Sequence, residues 1–379
     1  MRLINFGSIA GNKICPDKIK EAREARGLSL AQLSDKIGVS SQAISKYEKG
    51  EIVPTPSVLL KMVDVLNFPI SFFSTNDTNK LMNQTIYFRS NKNLTNKLKK
   101  ACKIRIKWIN NMYNFINNYF DLPMLDLPDL GEIDIDTLDL MRIEEIANKL
   151  RNYWNLGDYP INNLLDILQK KGFVITKLEI GSKKIDAFSI WENDVPYIFI
   201  GSEKDSAVRS RFDLAHELAH LILHKDLSEE DFEEEKDILE KQADAFAGAF
   251  LLPRESFNKE MITSSIDSFI LIKRKWKVSV AAMIRRAQDI DILSDNQIKY
   301  LKSQMVKYGY YKKEPFDDIL EPEKPYLFKQ AFEILVDNKI LTKEEILDIV
   351  KLNKDEALNL YSLKEDFFEK SNNILKLVK

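Results

Sequence analysis

Cysteine and histidine are the scarce reactive residues of this 379-residue sequence, which holds Cys15, Cys102 and three histidines. Two cysteines cannot build a disulfide framework, and their scarcity fits a reducing cytoplasm. No apolar run approaches the roughly 18 residues of a membrane-spanning helix. The stretch from Met1 through Gly7 lacks the long apolar core of a signal peptide. A net charge of -2 excludes a generic polyanion binder, so any nucleic-acid surface must be local. Internal repeats and low-complexity tracts are also missing, which excludes repeat architectures. What is present is a chain 44% apolar and 30% charged, enough for two or three soluble domains with cores of their own.

Charge is segregated along the chain. Thr78 through Phe120 contain no Asp or Glu but hold Lys80, Arg89, Lys92, Lys97, Lys99, Lys100, Lys103, Arg105 and Lys107. The next stretch reverses sign, from Asp121 to Asp139, and a second acidic run extends from Asp226 to Glu240. Such runs are ordinarily solvated faces. Four regions follow. Residues 1–75 read as short helices with tight turns, and 76–135 as a basic helix and a linker interrupted by Pro123 and Pro128. Residues 136–260 mix helices with a small sheet. Residues 261–379 are helical, broken by Pro315, Pro322 and Pro325. The strand candidates are Phe173–Ile180, Ala187–Trp191 and Tyr197–Gly201, short and rich in β-branched and aromatic residues. Asn193 and Asp194 predict a hairpin turn. The fold class is therefore mainly α with a small β-sheet, flanked by an all-α N-terminal part and a helical C-terminal region.

All three histidines lie between His216 and His224. The segment from Asp205 to His224 predicts one helix. His216 and His220, at i and i+4, then share a face about 6 Å apart along the axis. Both imidazoles can reach one cation, and Glu217 falls beside them as a general base: the HExxH arrangement. Leu214, Ala215, Leu218, Ala219, Leu221 and Ile222 make the frame apolar. His224 lies about 12 Å along the axis from His216, too far to complete the same zinc site. It is expected to meet helix-end carbonyls or a group behind the ligands. A second helix around Glu240 supplies the third ligand. Glu240 ligates, and Asp244, one turn on, accepts a hydrogen bond from a ligand imidazole. Tyr197 and Arg209 are candidate oxyanion donors, although a sheet Tyr is more often core and a surface Arg more often solvated.

Three blocks carry a resemblance: Arg211 through His220, then Glu240-x-x-Ala243-Asp244-x-Phe246-Ala247, then Leu251-Leu252-Pro253. Together, over about 136–260, they resemble the ImmA/IrrE family of metallopeptidases. The family often has Asn where this chain has Asp244, which alters the charge near the metal. The resemblance implies an α+β peptidase domain with Zn2+ as cofactor. It also implies cleavage of a transcriptional repressor in a phage, mobile-element or stress circuit.

In the N-terminal region, Leu30, Leu33 and Ile37 space one helix, Gly38 allows a tight turn, and Ser40 or Ser41 caps the next helix. That helix runs from Ser41 to Lys49 and stops at Gly50. Ile44 and Tyr47 face inward, while Ser41, Gln42, Ser45 and Lys46 face outward with the groups that a major groove can pair. The pattern resembles the Xre/Cro type of helix-turn-helix over about 17–73, which implies operator DNA as a partner and an internal Arg23–Glu48 pair. The family commonly starts its second helix with a phosphate-touching Gln. Here that position is Leu30, so phosphate grip passes to Lys36, Lys46 and Lys49. Lys92–Lys107 either adds phosphate contacts or is the solvated face of a helix around Trp108.

Ile272–Ala287 has a second small helix-turn-helix pattern, expected to pack on the catalytic domain. Residues 320–379 read as an amphipathic helical cap. The combined expectation is a cytoplasmic regulator with a helix-turn-helix at 1–75, a basic linker at 76–135, a zinc peptidase at 136–260 and a helical region at 261–379. Its protein substrate would be a repressor or antitoxin-like protein. No membrane is involved, and a homodimer is compatible with it. The alternatives are a non-proteolytic transcription factor with a structural or sensing metal, and a toxin–antitoxin or phage-defence component.

Overall fold

The computed structural model describes residues 14–74, 95–178, 187–201 and 206–369. Packing groups them into two units: 14–74, 95–120 and 328–369 form one, and 121–327 form the other. The sequence regions regroup accordingly. The basic helix joins the N-terminal helices, and the C-terminal region is shared between the units. Lys80, Arg89, Lys92 and residues 370–379 lie outside the described residues.

The first unit begins with α1 (Pro16–Ala25), α2 (Leu30–Ile37), α3 (Ser41–Lys49) and α4 (Pro56–Leu66). Local chemistry sets each boundary. Ser29 opens α2 with a reciprocal capping box to Gln32, and Ser40 and Thr55 cap α3 and α4; such caps contribute about 1 kcal/mol each. Gly38 and Gly50 end α2 and α3 at φ 73° and 72°, a left-handed conformation that glycine adopts without strain. Ile19, Leu33, Ile37, Ile44 and Met62 are buried. After a 3₁₀ turn (Ile70–Ser74), α5 (Asn96–Ile116) packs along α1. Its buried face follows helical spacing through Cys102, Ile106, Ile109 and Ile116. Its polar groups meet the acids of α1. Trp108 Nε1 donates to Glu21 at 2.7 Å, Lys107 pairs with Glu21 at 2.9 Å, and Lys100 with Glu24 at 3.1 Å.

The second unit opens with an extended strap, 121–139, and α6 (Leu140–Tyr153). Gly172 makes the strap's path possible. It stands at φ +84°, and a Cβ there would lie 2.5 Å from Leu125 N and 2.6 Å from the Met124 carbonyl carbon. Then follow α7 (Leu164–Lys170), β1 (Val174–Leu178), β2 (Ala187–Glu192) and β3 (Val195–Gly201). The sheet order is β1-β3-β2, with β1 parallel and β2 antiparallel to β3. Asn193 and Asp194 join β2 to β3 at φ 50° and 62°, the two positive values of a type I′ hairpin turn.

Helix α8 (Ala207–Leu223) lies against β2, β3 and, after α9 (Glu229–Glu234), against α10 (Lys236–Leu251). The middle of α10 is small: Ala243, Ala245, Ala247, Gly248 and Ala249 are buried. Small side chains let two helices approach at the short end of the usual range, roughly 8 Å between axes. Helices α11 (Arg254–Glu260), α12 (Ile266–Trp276), α13 (Val280–Asp289) and α14 (Asp295–Lys307) complete the unit. The second helix-turn-helix pattern corresponds to α12 and α13, with Ser279 capping α13. Buried Lys273 pairs with Glu314 at 2.8 Å and Asp317 at 2.5 Å. Glu314 also accepts from the Val280 amide at 2.9 Å, which locks the start of α13.

The chain then returns to the first unit through α15 (Leu327–Asp337), α16 (Lys343–Val350) and α17 (Lys354–Leu360). Glu356 pairs with Arg26 at 2.7 Å and Arg105 at 3.2 Å, and Asn353 Nδ2 donates to the Asn67 carbonyl at 2.9 Å.

Candidate functional site

Helix α8 and helix α10 bring His216, His220 and Glu240 together, with one ligand atom from each lying within 4.8 Å of the others. His220 Nε2 stands 3.0 Å from His216 Nε2. Glu240 Oε2 is 3.3 Å from His216 Nε2, and Glu240 Oε1 is 3.8 Å from His220 Nε2. Donors held at about 2.1 Å from a tetrahedral centre stand roughly 3.4 Å apart, so the spacing suits one small cation. Glu240 Oε1 is buried without a hydrogen-bond partner, a state that a buried carboxylate oxygen rarely tolerates. Two imidazoles and a carboxylate are also a donor set that zinc accepts. The residues present therefore fit the metal.

Access is graded. The His220 side chain is sealed, His216 is 13% exposed and Glu240 31%. The ring of Phe232, a buried apolar residue within the acidic run, lies 5.8 Å from that of His220. The cluster thus opens to solvent on the His216 and Glu240 side.

Asp244 accepts a hydrogen bond from His216 Nδ1 at 2.9 Å. With that nitrogen committed, the lone pair of a neutral His216 falls on Nε2, toward the cluster. Burial works against a charge on this ring. Hydrogen bonds to Asp244 and Glu240 and the nearby Glu217 outweigh it and hold the His216 pKa at about 10. In the metal-free protein a proton occupies the place that suits the cation.

Glu217 is buried beside the cluster. Burial pushes its carboxyl up to about 7, against the opposing pull of His216 and of a hydrogen bond from Ser189. A carboxyl poised near neutrality is suited to general acid–base work. Ser189 was not legible as a site residue, although a lone hydroxyl among Phe188 and Ile190 on a buried strand was a signal. Gln242 gave no comparable signal, whereas His224 was expected to meet helix-end carbonyls or a group behind the ligands. His224 ends α8 fully buried, against His220 and Gln242. The two oxyanion candidates stand in different surroundings. Tyr197 is buried and its ring stacks with Phe199, and Arg209 Nη2 donates to the Tyr311 and Lys312 carbonyls.

In the first unit, Ser41, Gln42 and Lys46 are exposed on the outer face of α3, and Ser45 is half-buried. Ile44 and Tyr47 point into the core. Arg23 grips Glu48 with two bonds of 2.6 and 2.8 Å, which ties α1 to α3. Gln32 caps α2 and accepts from Lys97 at 2.9 Å.

Residues 168–288 match the IrrE N-terminal-like domain family, and residues 19–73 match the helix-turn-helix family. The first match runs beyond 260 to take in α12 and α13. The N-terminal part is 38% identical over 55 residues to the HTH-type transcriptional regulator SutR of Escherichia coli. That alignment covers 14% of this chain and 31% of SutR. It is 37% identical over 54 residues to the cryptic phage CTXphi transcriptional repressor RstR of Vibrio cholerae, covering 14% of this chain and 48% of RstR. A Methanocaldococcus jannaschii protein assigned as an HTH-type transcriptional regulatory protein is 41% identical over 58 residues, 15% of this chain and 18% of that protein. The chain spans less than half the length of each of these relatives. Among the described residues, no helix is long and apolar enough to cross a membrane. In one polypeptide the chain carries an Xre-like helix-turn-helix domain at 19–73 and an ImmA/IrrE-like peptidase-family domain at 168–288.

Proposed function

We propose that this protein is a cytoplasmic DNA-binding regulator whose second unit is a zinc-dependent peptidase acting on a repressor or antitoxin-like protein. The observation that carries the reading is the convergence of His216, His220 and Glu240 around one point, with Glu217 buried at their side. His216, His220 and Glu240 would hold the ion. Bound zinc supplies a Lewis acid that polarises a peptide carbonyl and makes water more acidic.

The chain's own residues do the rest. Glu217, with Oε2 engaged by Ser189, has its other oxygen for the proton. It takes a proton from the attacking water and delivers it to the leaving amine. The apolar frame of α8 and the ring of Phe232 keep bulk water from the inner side of the site, which strengthens the charges there. The open side at His216 and Glu240 is where an extended peptide segment would enter. The α3 face of Ser41, Gln42, Ser45 and Lys46 would read operator DNA in the major groove.

The test is digestion of a proteome-derived peptide library by the full chain, with and without zinc, beside Glu217→Gln. Zinc-dependent cleavage that disappears in Glu217→Gln, with zinc still bound, supports the peptidase. A zinc-loaded wild type that cuts neither the library nor intact helix-turn-helix repressors would instead mark the site as structural or sensing.

A further inference from the structure

The third histidine is outside the cluster, yet the hydrogen-bond bookkeeping reaches it. Gln242 Nε2 donates to the Ile135 carbonyl at 2.9 Å and the Leu138 carbonyl at 3.3 Å, both at the end of the strap. Carbonyls only accept, so the amide cannot be turned over. Its Oε1 must face His224 Nε2, 3.1 Å away. An amide oxygen also only accepts, so His224 Nε2 carries the hydrogen. A neutral imidazole has one N–H, which leaves a lone pair on His224 Nδ1. That atom lies 2.9 Å from His220 Nδ1, so the hydrogen between them belongs to His220. Its lone pair is then on Nε2, which faces His216 and Glu240. His220 and His224 are 0% exposed and Gln242 6%, so bulk water is not at hand to substitute for a mismatched partner.

We propose that Gln242 and His224 are positioning residues that hold His220 in the Nδ1–H tautomer, so that Nε2 is ready for a divalent cation. This rests on the metal-site reading above. The relay begins at two backbone carbonyls of the strap and ends at the candidate ligand. Outer partners of this kind change metal affinity by roughly 10- to 100-fold when removed. The same geometry identifies the conservative replacement. A glutamine at 224 offers an acceptor toward His220 and a donor toward Gln242, as the imidazole does. A phenylalanine fills the space and offers neither.

The experiment uses the full chain labelled with ¹⁵N-histidine, where three residues give a spectrum simple enough to assign by substitution. In the metal-free protein, His224 should show a protonated Nε2 and a bare Nδ1, and His220 a protonated Nδ1. Zinc should then shift His220 Nε2. Zinc affinity by chelator competition should fall roughly 10- to 100-fold in His224→Phe and recover in His224→Gln. A proton on His224 Nδ1, or unchanged zinc affinity in a folded His224→Phe, overturns the relay. A wild type that takes up no zinc overturns the metal reading instead, while the tautomers of the metal-free chain still report on the relay. If the Phe variant does not fold, the wild-type spectrum decides.

Discussion

The hydroxyl of Ser189 in β2 donates to Glu217 Oε2 in α8 across 2.7 Å, with Ser189 0% and Glu217 2% exposed. Burial favours the protonated carboxyl, and the Ser189 bond favours the carboxylate. Removing the hydroxyl should therefore raise the Glu217 pKa. A hydrogen bond to a charged group contributes about 1.5–3 kcal/mol, so Ser189→Ala should move the acid limb of the activity profile up by about one pH unit or more. Zinc content should stay at the wild-type level. A profile that does not move would mean that the hydroxyl serves packing alone.

Proton and metal should compete at His216. Its folded pKa, about 10, lies above the 6.5 of the free side chain. For the metal-free protein, the stability tied to this proton is fully present below pH 6.5 and is lost as pH rises through about 10. Zinc must displace the same proton, so its apparent affinity should rise by about tenfold per pH unit up to that limit. Chelator competition across pH reads the slope. A flat dependence between about pH 7 and 9 would mean that His216 carries no competing proton in that range.

The carboxylates around the cluster should differ in effect. Glu240→Ala takes away a direct donor and should leave the purified chain without bound zinc. Asp244→Ala takes away only the acceptor that orients His216 and should weaken zinc by roughly 10- to 100-fold. Metal analysis beside chelator competition separates the two, and full zinc occupancy in Glu240→Ala would contradict the assignment.

Gly172 should not tolerate a side chain. Its φ of +84° and the 2.5 Å approach of the Leu125 nitrogen leave no room for a Cβ beside backbone. Gly172→Ala should cost about 1–3 kcal/mol from the backbone strain alone, read as a lower midpoint in denaturant. An unchanged midpoint would show that the strap is not held against this turn.

On α3, Lys46 and Gln42 should separate grip from reading. Lys46→Ala should weaken DNA binding on all sequences and reduce the salt slope by about one. Gln42→Ala should relax base preference at one position, at a cost of about 1–3 kcal/mol. Binding to randomised duplexes at two salt concentrations distinguishes the two. Equal losses in grip and preference for both variants would mean that α3 does not lie in the groove as proposed.

What could be read from the chain alone was local. The i, i+4 spacing of His216 and His220, the capping serines around α2 and α3, and the Asn193-Asp194 turn all follow from neighbours in sequence. The helical split of the second unit and the three strands follow from hydropathy period in the same way. Less legible were relationships that depend on distant segments meeting. Ser189 reaches Glu217 only because β2 pairs with β3 beside α8. Gln242 acts through carbonyls more than a hundred residues earlier. The basic helix α5 was ambiguous because its lysines find Glu21 and Glu24 of α1, an outcome that charge counting cannot supply. The return of Glu356 to Arg26 and Arg105 likewise links positions that no local pattern connects.

That return imposes an order of assembly. Residues 121–327 are spliced into the middle of the first unit, so a ribosome finishes the second unit before it delivers the last pieces of the first. Domains generally fold as they emerge, N-terminal first, but here Arg26 and Arg105 lack their shared Glu356 until the last helices are made. A nascent or prematurely terminated chain would therefore hold every residue of the second unit before every residue of the first. A single backbone cut within 121–327 would sever the chain without dividing the first unit, whose two parts would remain clasped through Glu356.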